Sequence, residues 1–188
     1  MSAFSRREFI QRTAVLSATA AAVGSESLAP AAEKAAAAAK GDANDTLHVA
    51  VVGVRGRGMS HVGGYLGKNN CVIDVVCDAD EGVIKNAMDS ITKVQKEAPK
   101  FVKDFRKLLD DKSIDVISIA TPNHWHATMA VWALKAGKHV YCEKPLTHNV
   151  REGKLIAEAA ASSGKVFQTG TQSRSNPGMR EAIAFIHD

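Results

Sequence analysis

The sequence predicts an α/β fold, a doubly wound parallel sheet covered by helices on both faces. Three observations predict it. From residue 46 onward, short apolar runs alternate with segments of helical period. The first run, Val49-Ala50-Val51-Val52, feeds straight into a glycine-rich turn, Gly53-Val54-Arg55-Gly56-Arg57-Gly58. A later run, Val140-Tyr141-Cys142, stops at Glu143-Lys144-Pro145, placing two charged side chains at the end of an apolar strand. Strands this apolar, separated by helices, belong to a parallel sheet buried on both sides.

The elements follow in order. Residues 47–53 read as the first strand and 57–68 as a helix weakened by Gly63 and Gly64. Residues 72–78 form the second strand. Residues 81–96 form a helix with Val83, Ile84, Met88, Ile91 and Val94 near helical spacing. Pro99 breaks it, Phe101-Val102 is a short third strand, and 104–110 is a short helix. Residues 114–120 are the next strand. Asn123 is the expected cap of a helix that runs to about Ala136 and ends at Gly137. A strand at 138–142, a helix at 150–163 closed by Gly164, and a strand at 165–169 follow. After Pro177, residues 179–187 begin another helix.

Composition narrows the function. Lys and Arg number 24 against 20 Asp and Glu, a net charge of +4. The charges of residues 1–45 cancel (Arg6, Arg7, Arg12, Lys34 and Lys40 against Glu8, Glu26, Glu33, Asp42 and Asp45), so the excess lies beyond them. It is mild and forms no dense basic block, which argues against a nucleic-acid partner. The three cysteines, Cys71, Cys77 and Cys142, form no Cys-x-x-Cys pair. They read as buried thiols, and no metal site is expected.

The amino terminus reads as an address. Ser5-Arg6-Arg7-Glu8-Phe9-Ile10 resembles a twin-arginine export signal, and an alanine-rich, weakly apolar stretch runs from Thr13 to Val23. That stretch is too short for a mature membrane span but suits a signal core. Ala29-Pro30-Ala31 offers small residues for cleavage. Residues 1–31 are therefore expected to be a signal peptide and 32–45 a flexible linker. The protein would be exported and periplasmic, with no membrane association once the signal is removed. This kind of signal implies export in the folded state, which suits a protein that acquires a nucleotide in the cytosol.

Glycines in a strand-to-helix turn let the backbone approach a pyrophosphate, and the helix start supplies N–H groups and a favourable dipole. The usual spacing is Gly-x-Gly-x-x-Gly. Gly53 and Gly58 fill the first and third places, but Arg55 stands in the middle one and Gly56 follows it. Arg55 either points away or pairs with phosphate. Asp78 lies twenty residues after Gly58, at the end of the second strand. An acid there accepts hydrogen bonds from ribose hydroxyls, which favours NAD, and repels a 2′-phosphate, which disfavours NADP.

Ligands of such sheets bind beyond the carboxyl ends of the strands. Three clusters fall there: Thr121-Pro122-Asn123-His124-Trp125-His126, Glu143-Lys144-Pro145, and Gln168-Thr169-Gly170-Thr171-Gln172-Ser173-Arg174. His124 and His126, two apart at a helix start, favour different faces rather than a shared metal; one of them could touch cofactor or substrate. Trp125 reads as core or interface. Lys144 is the catalytic candidate, since its ammonium can orient a nicotinamide and polarise a substrate oxygen. Glu143 would hold the cofactor or restrain Lys144; the plain alternative is a surface ion pair between the two.

These residues resemble the Gfo/Idh/MocA oxidoreductases, named for glucose–fructose oxidoreductase and inositol dehydrogenase, and within them an exported, twin-arginine subgroup. The Glu-Lys-Pro motif and the Thr-Pro-Asn-His run are the specific matches, within a stretch from Leu47 to about Arg174. The resemblance implies a Rossmann-like domain at 46–174 that binds NAD, and a sugar or polyol substrate. It places the phosphate turn at Gly53, Arg55, Gly56, Arg57 and Gly58 and the ribose acid at Asp78. Nicotinamide-side contacts fall at Thr121, Pro122 and Asn123, with His126 beside them, and Glu143 and Lys144 take their motif roles. Members also carry a second, mostly antiparallel α+β domain that completes the active site and often makes an oligomer interface. Residues 175–188 would only begin it, so the chain reads as a truncated N-terminal half, with a homo-oligomer expected for the longer form. One branch of the family hydrolyses glycosides through transient oxidation by bound NAD, and a catalytically inactive nucleotide-binding module is a further alternative.

Overall fold

The computed structural model describes residues 46–67 and 70–187. The expected signal peptide and linker lie outside the described residues. Strand β1 (Leu47–Val52) leads into helix α1 (Arg57–Tyr65), β2 (Cys71–Cys77) and, after a 3-10 turn at Glu81–Val83, helix α2 (Lys85–Gln95). Then come β3 (Lys100–Val102), α3 (Arg106–Asp110) and β4 (Val116–Ile119). A 3-10 turn at Asn123–Trp125 precedes α4 (His126–Lys135), followed by β5 (His139–Glu143), α5 (Val150–Ser163) and β6 (Phe167–Gly170). A third 3-10 turn, Gln172–Ser175, leads to α6 (Pro177–His187).

The strands make one parallel sheet in the order β3-β2-β1-β4-β5-β6. The order reverses between β1 and β4, and in an open α/β sheet that switch point is where a crevice opens. Alternate residues of β1 face opposite cores. Ala50 and Val52 join Ile117, Ile119 and Leu134 on one side; Val49 and Val51 join Val62, Ile73 and Ile91 on the other. All of these are 0–1 % exposed, and burying each of the Val, Ile and Leu side chains contributes about 1.5–3 kcal/mol. The pairing of β1 with β2 slips between Val49 and Ala50, so Asp74 is skipped in the register. The skipped side chain turns to His48 Nδ1 at 2.6 Å, and Val75 and Val76 then regain opposite cores.

Local chemistry sets the helix ends. Asn149 accepts from the Glu152 N–H at 3.0 Å, and Glu152 Oε2 accepts from the His148 N–H at 2.8 Å, a reciprocal cap that starts α5. The helix expected from residue 81 begins four residues later, because Asp80 Oδ1 accepts from the Gly82 N–H at 2.9 Å and closes a 3-10 turn first. Asn123 does not cap α4. Its side chain carries no capping bond, and its Oδ1 is hydrogen-bonded to His148 Nε2 at 2.8 Å. Helix α6 buries none of its described residues.

Candidate functional site

The site begins at the exit of β1. Gly53 has φ +84°, and a Cβ there would stand 2.8 Å from the Ala120 carbonyl, so the chain leaving β4 passes too close for any side chain. At Gly58 a Cβ would lie 1.7 Å from the Gly53 oxygen, which lets the first turn of α1 rest on the strand end. Gly56 differs: among the described residues, nothing lies within 4 Å of an added Cβ. Two glycines therefore serve internal packing, and the third keeps the backbone open outward. No acidic side chain occupies the first turn of α1, so its N–H groups and dipole are available to an anion.

Beyond this turn runs a groove of about 750 Å³, lined by Gly53, Arg55, Gly56, Asp78, Thr121 and Pro122, with Trp125, Met129 and Trp132 on its apolar wall. Asp78 is pinned to the turn, because Oδ2 accepts from the Val54 N–H at 2.9 Å. Trp125, read from the sequence as core or interface, is 46 % exposed and lines the groove, so it is not core. Arg55 reaches neither into the core nor along the sheet; its Nη2 pairs with Asp80 Oδ2 at 2.8 Å.

Glu143 and Arg57 are brought together, though away from the groove lining. Glu143 is buried, and its Oε1 accepts from Arg57 Nε at 2.7 Å and His61 Nε2 at 3.1 Å, and also from Gln172 Nε2. Oε2 accepts from the Lys144 N–H at 3.1 Å. Burial alone would push this carboxyl up, but the bonds from Arg57, His61 and the Lys144 N–H outweigh it and hold it at about 2. Burial lowers the His61 imidazole despite its bond to Glu143. An ionised carboxylate only accepts, so Nε2 of neutral His61 donates to it and Nδ1 accepts from the Ser118 hydroxyl at 2.9 Å. Tyr65 donates to Ser118 in turn at 3.3 Å. Glu143 thus pairs with Arg57 and His61 of α1 rather than with the Lys144 ammonium.

Lys144 is exposed at the carboxyl end of β5, beside β4, and its peptide bond to Pro145 is cis. His126 is buried, with Nδ1 2.8 Å from the Pro145 carbonyl and Nε2 2.9 Å from the Thr121 carbonyl. Neither nitrogen faces the groove; the ring ties the β4 exit to the Glu-Lys-Pro loop. Thus Gly53, Arg55, Gly56, Asp78, Thr121 and Pro122 share the groove. Gly58 lies beneath it, while Arg57, Asn123, His126, Glu143 and Lys144 lie outside its lining.

The sequence assigned no role to His61, Ser118 or Asp80, and placed Gln172 only within a strand-end cluster. One signal was available: Arg57, His61 and Tyr65 recur every four residues, which stacks three polar tips on one face of α1. A serine inside the apolar run of β4 is their counterpart. Cys77 and Cys142 are buried, and burial pushes both thiols up to about 12.

A parallel sheet of this order, with an open glycine turn and a strand-end acid facing one crevice, defines a dinucleotide-binding domain. Residues 47–171 match the model of the oxidoreductase family with an NAD-binding Rossmann fold, and the chain belongs to that family. An alpha-N-acetylgalactosaminidase from Shewanella oneidensis is 31% identical over 125 residues, 64% of this chain and 27% of that protein. A levoglucosan dehydrogenase from Pseudarthrobacter phenanthrenivorans is 39% identical over 85 residues, 45% of this chain and 22% of that protein. A solved levoglucosan dehydrogenase in complex with NADH and levoglucosan superposes with a TM-score of 0.64 at 28% identity, covering 76% of this chain and 40% of that one. The chain spans about a quarter of the length of the curated relatives it matches.

Proposed function

We propose that this chain is the NAD-binding half of an NAD-dependent oxidoreductase acting on a sugar or polyol. The carrying observation is the groove itself, where the open Gly56 and the free start of α1 meet Asp78. These residues fit a dinucleotide: the turn takes the pyrophosphate, and each Asp78 oxygen, already accepting one backbone N–H, keeps a lone pair for a ribose hydroxyl. NAD, when bound, supplies the hydride acceptor. Lys144 would orient the substrate and stabilise the oxygen that loses its proton. Glu143 holds the Lys144 N–H and so sets where that side chain starts. The Ser5–Ile10 twin-arginine pattern and the stretch that follows support export to the periplasm, which signal-dependent secretion of a reporter fused to residues 1–45 would test.

The test is calorimetric titration of the full chain with NAD and NADP. Saturable NAD binding is expected, weakened about 10- to 100-fold in Asp78→Ala, since bonds to a charged acceptor are worth ~1.5–3 kcal/mol. A folded chain that binds no NAD would refute the reading. A second reading, an NAD-dependent glycosidase, is favoured by the similarity to the alpha-N-acetylgalactosaminidase. The complete enzyme would separate the two: a dehydrogenase accumulates NADH with substrate, and a glycosidase releases sugar without net NADH.

A further inference from the structure

The end of the groove around Asp78 carries three cations, Arg55, Lys103 and Arg106. Any of them, if unengaged, would attract a 2′-phosphate. Each is paired among the described residues. Arg55 Nη2 meets Asp80 Oδ2 at 2.8 Å, and Lys103 Nζ meets Glu81 Oε1 at 3.2 Å. Arg106 grips Asp104 through Nε and Nη2 at 3.0 and 2.6 Å. Asp78, by contrast, is held by backbone N–H groups, those of Val54 and Asp80. The charge left over at this end is therefore negative.

Of the three pairs, Arg55–Asp80 is the one made by the glycine-rich turn. Asp80 is fixed for it. Its N–H donates to Asp78 Oδ1 at 3.0 Å, and its Oδ1 accepts from the Gly82 N–H at 2.9 Å, leaving Oδ2 for the guanidinium. One short segment thus holds both the ribose acid and the partner of Arg55. The Arg55 side chain is 77% exposed, so the pair, not packing, decides where it points. Released, a planar guanidinium is suited to grip a phosphate with two parallel bonds.

We propose that Asp80 is a selectivity residue of this groove: by holding Arg55 it withholds a cation from a 2′-phosphate, so preference for NAD over NADP rests on Asp80 as well as Asp78. The inference rests on the reading that a dinucleotide's adenosine ribose lies at Asp78. Asp80→Asn tests it cleanly, because the amide oxygen still accepts from Gly82 while the charge that holds Arg55 is gone. Asp80→Ser, which keeps the same cap, is the second variant should the first lose its fold by circular dichroism.

The experiment is calorimetry on the full chain with NAD and with NADP, for the parent, Asp80→Asn, Asp80→Asn/Arg55→Ala, and Asp89→Asn. Asp89 pairs with Lys85 on α2, outside the groove lining, and controls for loss of one negative charge. NADP binding is expected to tighten about two- to fivefold in Asp80→Asn, with NAD changed less than that. The gain should vanish in the double variant and be absent in Asp89→Asn. Unchanged NADP affinity in Asp80→Asn, a gain that survives Arg55→Ala, or an equal gain in Asp89→Asn would overturn the inference while parental NAD binding leaves the groove reading standing. Absence of NAD binding by the folded parent would refute that reading and the inference with it.

Discussion

Replacing Glu143 by Gln should destabilise the chain by about 3 kcal/mol at neutral pH, and the loss should disappear in acid. The groups around this carboxylate all donate: Arg57 Nε, His61 Nε2, Gln172 Nε2 and the Lys144 N–H. An amide of the same shape turns an NH₂ against some of them. The magnitude follows from linkage. The folded carboxyl sits at about 2 against an ordinary 4.5, and each unit is worth ~1.36 kcal/mol. Because the folded value is depressed, this stability is present above pH 4.5 and is lost as pH falls towards 2. Arg57 is 47% exposed and can turn to water, which keeps the loss at the low end of the ~3–5 kcal/mol of a stranded charge. Urea unfolding at pH 7, 5 and 3 reads this directly; with m near ~2 kcal/mol/M, the midpoint should drop by ~1.5 M at pH 7. The gap between parent and variant should shrink at pH 3. An equal gap at pH 7 and pH 3 would show that the charge contributes nothing and refute the reasoning.

Three further outcomes are expected. Gly58→Ala should cost about 3 kcal/mol or abolish folding, because its Cβ meets the Gly53 carbonyl, whereas Gly56→Ala should change thermal stability by ~1 kcal/mol or less and weaken NAD binding. Cys77 and Cys142, buried with thiols pushed up to about 12, should resist maleimide at pH 7.5 by mass spectrometry until denaturant is added. His126→Phe, which removes the ring that bridges the Thr121 and Pro145 carbonyls, should lower stability by about 1 kcal/mol in urea unfolding, the net worth of a part-buried hydrogen bond being ~0.5–1.5 kcal/mol.

Much of the fold was legible in local pattern, because strand and helix period, breakers and caps act over a few residues. Strand β5 was expected at 138–142 and runs His139–Glu143; α5 was expected at 150–163 and spans those residues. Errors came where a side chain chose a non-local partner. Asn123 looked like a cap until His148 took its oxygen.

By itself, the sequence determined the alternation that makes a parallel sheet, the strand-to-helix glycine turn, and an acid twenty residues beyond it. Each depends on backbone conformation or spacing within one β-α-β unit. Only the tertiary structure decided what the charged groups do. Glu143 meets Arg57 and His61 from 86 and 82 residues away and Gln172 from 29. Arg55 finds Asp80 across a separation of 25. Those pairings follow from strand order and from the convergence of α1, β5 and β6 at one end of the sheet. Charge pairing falls off steeply outside contact distance in water, so the partner is settled by where the fold sets each side chain, and no spacing along the chain encodes that.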